Sequence, residues 1–250
     1  MQPIVIGYAN LIDTATLSGT GWSASYPLTN LQNRYAGSKA KATGLTGQLI
    51  IDLRVPDAAL RAFGIKDHNA STVRLEASAV SNFASLAYDS TTLAIYPDTS
   101  YLMALPAAVV ARYWRLTLTG ASNPELSRVF LGAGWQPSPE NNIEWGASLR
   151  LETKTEVAES LSGYEDYNVK PNRRVFRGRF DWLPDADAWS VLLPMMRSQG
   201  IHREYLLIAD PDDTTCQAQR NMFCRMRELS EIEDPYLDAH TVGVEFSELL

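Results

Sequence analysis

The chain has 250 residues, 45% apolar and 20% charged, the balance of a globular protein that buries a core in one large domain or two ordinary ones. Its net charge of −7 lacks the basic excess of a nucleic-acid binder. The acidity is uneven: residues 1–137 carry 10 Lys+Arg and 8 Asp+Glu, whereas residues 138–250 carry 12 and 21.

No stretch approaches the roughly 18 apolar residues that span a bilayer, so no membrane partner is expected. The opening Met1-Gln2-Pro3-Ile4-Val5-Ile6 shows no basic region followed by a long apolar run, and no signal peptide is expected. Cys216 and Cys224 are eight positions apart, which is not a metal-knuckle spacing; they read as two small buried or half-buried thiols. So few cysteines fit assembly in a reducing cytoplasm.

In chain order, the first half reads as short strands between turns. Gln48–Leu53 is one apolar run. Phe63-Gly64-Ile65 is short and ends at the polar cluster Lys66-Asp67-His68-Asn69. Thr72–Ala77 and Tyr113–Leu118 alternate with period two, and Arg128–Gly132 follows. Such alternation marks half-buried strands, and their spacing predicts a β-sandwich. Gly134-Trp135-Gln136-Pro137-Ser138-Pro139 makes a stiff connector, and the charge changes there, so domains of 1–137 and 138–250 are expected.

The second half reads as α+β. Ile143–Thr155 is extended, and Arg173–Trp182 is a long strand. Val175, Arg177, Arg179 and Asp181 share one face of it; Phe176, Gly178, Phe180 and Trp182 form the other, which is the face expected to be buried. A helix follows, capped by Asp185 or Asp187, with Trp189, Leu192, Leu193 and Met196 at helical spacing. Pro194 should kink or split it and Gly200 should end it. Strands over Glu204–Ala209, Phe223–Leu229 and Thr241–Phe246 complete the chain.

Sites of chemistry are hard to find. His68, His202 and His240 sit in no zinc-binding pattern, and there is no nucleophile elbow or phosphate-binding glycine loop. No catalytic residue, metal ligand or cofactor is predicted. Asp210, Asp212 and Asp213 cluster about Pro211. An EF-hand starting at Asp210 would need Gly and Glu where Thr215 and Asn221 stand, so the cluster reads as a solvated turn. Trp22, Tyr26, Tyr35 and His68 come from loop-like stretches. Exposed aromatics there would stack on the apolar faces of sugars, and Trp22, Tyr35 and His68 are the candidate glycan-binding residues. Packing beneath the loops is the alternative for these aromatics. Lys39 and Lys41 read as ordinary surface charges.

Two resemblances emerge. Leu49-Ile50-Ile51-Asp52-Leu53, Phe63 to Ser71, Ala111-Arg112-Tyr113-Trp114-Arg115-Leu116 and the early segment Trp22 to Leu31 together resemble the galactose-binding-like, discoidin-type jelly rolls over residues 1–135. Over residues 140–250, an Arg-rich strand, a short helix, the Ile-Ala-Asp-Pro strand end and the closing Thr241–Leu249 strand resemble minor tail and distal tail proteins of tailed bacteriophages, whose belt domains share the tail-tube fold. The order of the two domains is reversed relative to that family's usual arrangement.

The resemblance implies a mainly β, non-enzymatic structural protein of a tail tip or baseplate, assembled in the host bacterial cytoplasm and carried in the virion. The second domain would form a homo-oligomeric ring around the tail channel, sixfold or else threefold, and the first domain would project outward or brace neighbouring tail proteins. DNA would be only passing cargo. Glu152, Glu156, Glu159, Glu165, Glu228, Glu231 and Glu233 would then face the channel and repel phosphate; keeping the protein soluble is the plainer role for these acids. The alternative function is a carbohydrate-binding module for host-surface glycan. An enzyme acting on cell-wall sugars would need a carboxylate pair that the sequence does not mark.

Overall fold

A computed structural model describes residues 2–35, 37–97, 99–144 and 146–250, with Tyr236 as backbone only. The chain divides into two compact units, residues 1–136 with 205–223 and residues 137–204 with 224–250.

The first unit is an antiparallel β-sandwich. One sheet runs in the order Thr99–Val110, Ala59–His68, Arg128–Trp135, Val5–Asn10, Tyr205–Ile208. The other runs Thr16–Ser18, Thr46–Asp52, Tyr113–Thr119, Thr72–Ser78, Tyr88–Asp89. Thr46–Asp52 and Tyr113–Thr119 in the second sheet alternate between buried and more exposed residues, because one face is wet. Trp114, Leu116, Leu118, Leu49, Ile51 and Leu75 thereby meet Phe63, Ile65, Val129 and Leu131 in one core.

The strands at the centre of the first sheet do not alternate. Phe63 to Lys66 and Arg128 to Leu131 are buried without interruption. Their outer face is covered by residues 205–223: the Phe223 ring stands edge-on to Phe130 with centroids 6.5 Å apart. A Cβ on Gly64 would lie 3.0 Å from the Phe223 ring and 3.1 Å from Leu206, which explains a glycine in mid-strand. The pairing Val5↔Ile208 through Gly7↔Leu206 joins this late segment to the first strand. A single boundary near residue 138 therefore does not describe the chain: residues 205–223 pack with the first unit. A contact spanning some 200 positions leaves no local signal.

Ala59–His68 also runs through the polar cluster expected to be a turn. Asp67 takes a positive φ of 49°, and the pairing with Thr99–Val110 slips between Ile65 and His68. This bulge absorbs the turn-like residues without ending the strand. The Asp67 carboxylate accepts from the Ser127 hydroxyl at 2.9 Å.

The second unit is built on antiparallel pairs in the order Ser148–Glu152, Arg173–Leu183, Ala239–Glu248, with Ile232–Tyr236 and the end of Met222–Met226 also on Ala239–Glu248. Phe176, Gly178 and Phe180 are buried, and Arg177 and Arg179 point to solvent, as the alternation predicts. Val175, on the face opposite the one expected to be buried, is 1% exposed, and Trp182 departs as well. The residue has a φ of 60°, the register slips between Phe180 and Leu183, and Leu183 is buried in its stead while Trp182 is 59% exposed.

The expected helix is present as Asp185–Asp187, a π-turn over Ala188–Leu192, and Leu193–Gln199. Neither Asp185 nor Asp187 caps it; Pro184 occupies the N-cap. Pro194 has no N–H to continue the ladder, and the preceding Leu193 N–H reaches back to Ala188 O, the wider π spacing that accommodates it. Gly200, at φ 57°, ends the helix, its N–H bonded to Met196 O at 2.8 Å.

A hairpin of Glu156–Glu159 and Glu165–Asn168 is exposed at every strand position. Ile232–Tyr236 adds a strand between the two expected over Phe223–Leu229 and Thr241–Phe246.

Candidate functional site

The first unit carries a cleft of about 300 Å³ lined by Ser25, Tyr26, Asn30, Ser38, Lys39, Lys41 and Glu125, together with Gly37. That is the lower end of the size range of small-molecule sites. Its walls are set by short local devices. Pro27 starts the 3-10 turn Leu28–Gln32, and Asn30 Nδ2 donates to Lys39 O at 2.7 Å. The Asn33 side chain accepts from Tyr35 N at 3.0 Å, and Ser38 N donates to Tyr35 O at 3.0 Å, folding the loop back. The Tyr35 ring lies over Gly37, where a Cβ would be only 2.5 Å from it. Ala40–Lys41 pairs with Glu125–Leu126 across the floor.

The charged centre is Glu125. Lys39 Nζ is 2.8 Å from one carboxylate oxygen and Lys41 Nζ 3.5 Å from the other. The hydrogen bond from Lys39, reinforced by Lys41, holds the Glu125 carboxyl below its ordinary pKa. Asn69 fixes the backbone beneath: its Oδ1 accepts from Glu125 N at 2.8 Å. Tyr26 and Tyr35, 51% and 71% exposed, offer aromatic faces at the rim. Ammonium donors, a carboxylate acceptor and aromatic faces are the groups that hydroxylated rings need.

The three predicted glycan residues separate. Tyr35 is exposed beside the cleft. Trp22 is half-buried beneath the loop; its Nε1 donates to Gln48 O at 2.8 Å and its ring packs over Gly47. His68 is 1% exposed at the end of its strand and is not available to a ligand in solution. Its polar neighbours suggested a turn, but the bulge at Asp67 keeps it inside. Asn30 and Glu125 join the cleft without a sequence signal, and Lys39 and Lys41, read as ordinary surface charges, line it too. The spacing Lys39–Lys41 was visible, but Glu125 lies more than 80 positions away.

The acids assigned to a channel lie on several features of the second unit. Glu152 is 3.4 Å from Arg227. Glu156, Glu159 and Glu165 lie on the exposed hairpin. Glu228, Glu231 and Glu233 line a broad cleft of about 620 Å³ that also contains Arg177 and Arg179, and Glu233 is 3.7 Å from Arg179.

Two other titratable groups stand out in the second unit. Glu144 is hydrogen-bonded to Asp181, which raises the Glu144 pKa. The two carboxyls are in contact, whereas glycoside hydrolysis needs them about 5–9 Å apart. His240 is buried, with Nε2 2.5 Å from Asp185 and Nδ1 2.5 Å from Asp234. Both bonds raise its pKa, that to Asp185 foremost. A ring donating from both nitrogens has no lone pair for Trp189, so the 3.2 Å approach of the indole Nε1 is an edge contact, matching the 81° ring angle.

Asp210, Asp212 and Asp213 form a hydrogen-bonded turn: Asp210 accepts from Asp212 N, and Asp213 accepts from Thr215 N and Cys216 N. Among the described residues no group of three or more His, Cys, Asp or Glu could hold a metal ion. Both cysteines are free, and Cys216 is exposed rather than buried. Among the described residues no helix is long and apolar enough to cross a membrane.

No family model matches the chain, and no curated protein matches it. Solved structures similar to part of it include the Ruminococcus gnavus GH29 fucosidase in complex with fucose, at 13% identity and a TM-score of 0.43, covering 51% of this chain and 27% of that one. A Streptococcus pneumoniae fucose binding module matches at 13% identity and TM-score 0.42, covering 49% of this chain and 96% of the module. Chitosan-binding module 1 from the chitosanase/glucanase of Paenibacillus sp. IK-5 matches at 12% and 0.42, covering 50% and 98%. The chain thus spans only about a quarter of the fucosidase, and about half of it has no counterpart in either module. The β-sandwich of the first unit rests on its own strand pairing, and these likenesses assign it no ligand.

Proposed function

We propose that the chain is a non-enzymatic carbohydrate-binding protein whose first unit takes a sugar in the cleft around Glu125. The observation that carries this reading is the Lys39–Glu125–Lys41 cluster set beside exposed Tyr26 and Tyr35. A sugar hydroxyl accepts from an ammonium and donates to the carboxylate, while a tyrosine face covers the ring's C–H groups. The sequence resemblance of residues 1–135 to galactose-binding-like jelly rolls supports it. The test is a glycan array probed with the full chain, followed by titration of any retained glycan. Tyr26→Ala and Lys39→Ala should each weaken binding about tenfold. An array without a retained glycan would remove the reading.

A second reading is favoured by the hairpin. Val157, Leu161, Tyr164, Tyr167 and Val169 are exposed together on it, and Glu159 faces Glu165 directly across its strands. An isolated hairpin is marginal in water, and an exposed apolar cluster marks an interaction surface. On this reading the protein is a structural component of a phage tail tip or baseplate. The second unit packs against further copies in a ring around the tail channel and against neighbouring tail proteins, and the first unit attaches to host glycan or braces its neighbours. Light scattering on the full chain tests the oligomer. Immunogold labelling of intact and disrupted virions from the source tests the location: label at the tail tip supports this reading, and unlabelled disrupted particles exclude it.

A further inference from the structure

Most arginines on the strands of the second unit are matched to carboxylates. Glu245 is shared by Arg150, Arg177 and Arg227, Glu248 holds Arg174, and Asp181 holds Arg179. One place breaks this pattern. A separate cleft of about 210 Å³ is lined by Lys154, Arg173, Arg225 and Arg227, with Glu152 as the sole acid. Glu152 is 3.4 Å from Arg227, and no ion pair joins Lys154, Arg173 or Arg225 to a carboxylate among the described residues.

The strand register explains how these cations meet. Arg173 is opposite Glu152 on the neighbouring strand, Val175 is opposite Ser247, and Ser247 is opposite Arg225. Residues two apart share a face, so Arg173, Arg225 and Arg227 rise on one side of three adjacent strands. Lys154 follows directly after Ser148–Glu152. Ser247 adds a hydroxyl, and Ile201 and Met226 supply apolar lining.

Such a cluster is unexpected on composition, since acids outnumber bases 21 to 12 in residues 138–250. Four cations held together with a single lining acid, three of them outside any ion pair among the described residues, repel one another, and the repulsion is relieved when an anion enters.

We propose that this cleft binds a tetrahedral oxyanion, a phosphate or sulfate group. Guanidinium forks match such oxygens in pairs, and the ammonium and hydroxyl complete the donor set. The volume suits one oxyanion headgroup with a short attached segment. The site is independent of the sugar cleft, so failure of either proposal leaves the other standing.

The test is calorimetric titration of the full chain, at low salt and neutral pH, with inorganic phosphate, inorganic sulfate and, at matched ionic strength, sodium chloride. Saturable binding of phosphate or sulfate is expected, with no response to chloride. A headgroup-only site binds the inorganic ion directly; a site for an ester binds phenyl phosphate at least about tenfold more tightly than phosphate, because the attached segment adds contacts. Arg225→Ala and Arg173→Ala should each weaken binding about tenfold or more. Lys154→Ala, exposed and outside any strand, should weaken it several-fold, while Arg179→Ala, outside the cleft, should leave it unchanged. Absence of saturation by phosphate, sulfate and phenyl phosphate up to about 10 mM, an equal response to chloride, or affinity unaltered in Lys154→Ala and Arg225→Ala overturns the proposal.

Discussion

The two units use charge in different ways. In the first, ion pairs are drawn into the structure. Glu76, its side chain only 3% exposed, receives both nitrogens of the Arg115 fork at 2.6 and 2.8 Å and a third contact from Arg74 at 3.2 Å. Asp52 is held by Arg112 in the same two-pronged way. In the second unit Arg150, Arg177 and Arg179 stay exposed while their carboxylate partners and the Arg174–Glu248 pair are mostly covered. Arginines share carboxylates on an open strand face, and a hairpin carries acids and apolar groups into solvent. The first arrangement makes a rigid frame on which short loops can hold a cleft; the second leaves groups free for partners.

The sharpest way to break this comparison is to remove a buried partner. Arg115→Met leaves buried Glu76 with only the 3.2 Å contact from Arg74 and should cost up to about 3 kcal/mol in denaturant unfolding. A cost below about 1 kcal/mol would mean that the pair behaves as a surface contact. Phe223→Ala is expected to destabilise the first unit by about 3 kcal/mol, because the ring fills the space over Gly64 and against Phe130. If instead the first unit melted unchanged, residues 205–223 would not belong to its core.

His240 supplies a smaller, pH-dependent effect in the second unit. Its folded pKa is raised, so its contribution is complete below about 6.5, the ordinary value, and is lost as pH rises through the folded value. Both aspartates are largely solvent-exposed, which holds the effect to about 1 kcal/mol. His240→Phe should flatten the dependence of the second unit's stability on pH between mildly acidic and mildly basic buffer. A His240→Phe protein that kept the slope would assign it to other groups. The smallest stability change is expected at the hairpin: Leu161→Ser should shift unfolding by less than about 0.5 kcal/mol, yet reduce any self-association seen by light scattering.

What was readable in the sequence followed from local period. The alternation in Tyr113–Thr119 and in Phe176 to Phe180 named the buried faces, because a half-wet strand must alternate. Where the chain departs from period two, the reading failed. Trp182 and Asp67 sit in bulges with positive φ, and neither residue type announces one. The sandwich sheet buried on both faces has no alternation to find, and its cover, residues 205–223, arrives from the far end of the chain. The candidate site was half legible for the same reason. Tyr35 could be chosen as a loop aromatic, but the partner that gives Lys39 and Lys41 a role is Glu125, which only folding brings near.

The most direct test of the central claim is titration of the full chain with a panel of neutral and acidic oligosaccharides, monitored by the chemical shifts of tyrosine and lysine side chains. The account predicts saturable shifts at Tyr26, Tyr35, Lys39 and Lys41 with at least one sugar, abolished in Glu125→Gln. Shifts absent at these residues with every sugar, or binding that survives in Glu125→Gln and Tyr26→Ala together, would contradict it.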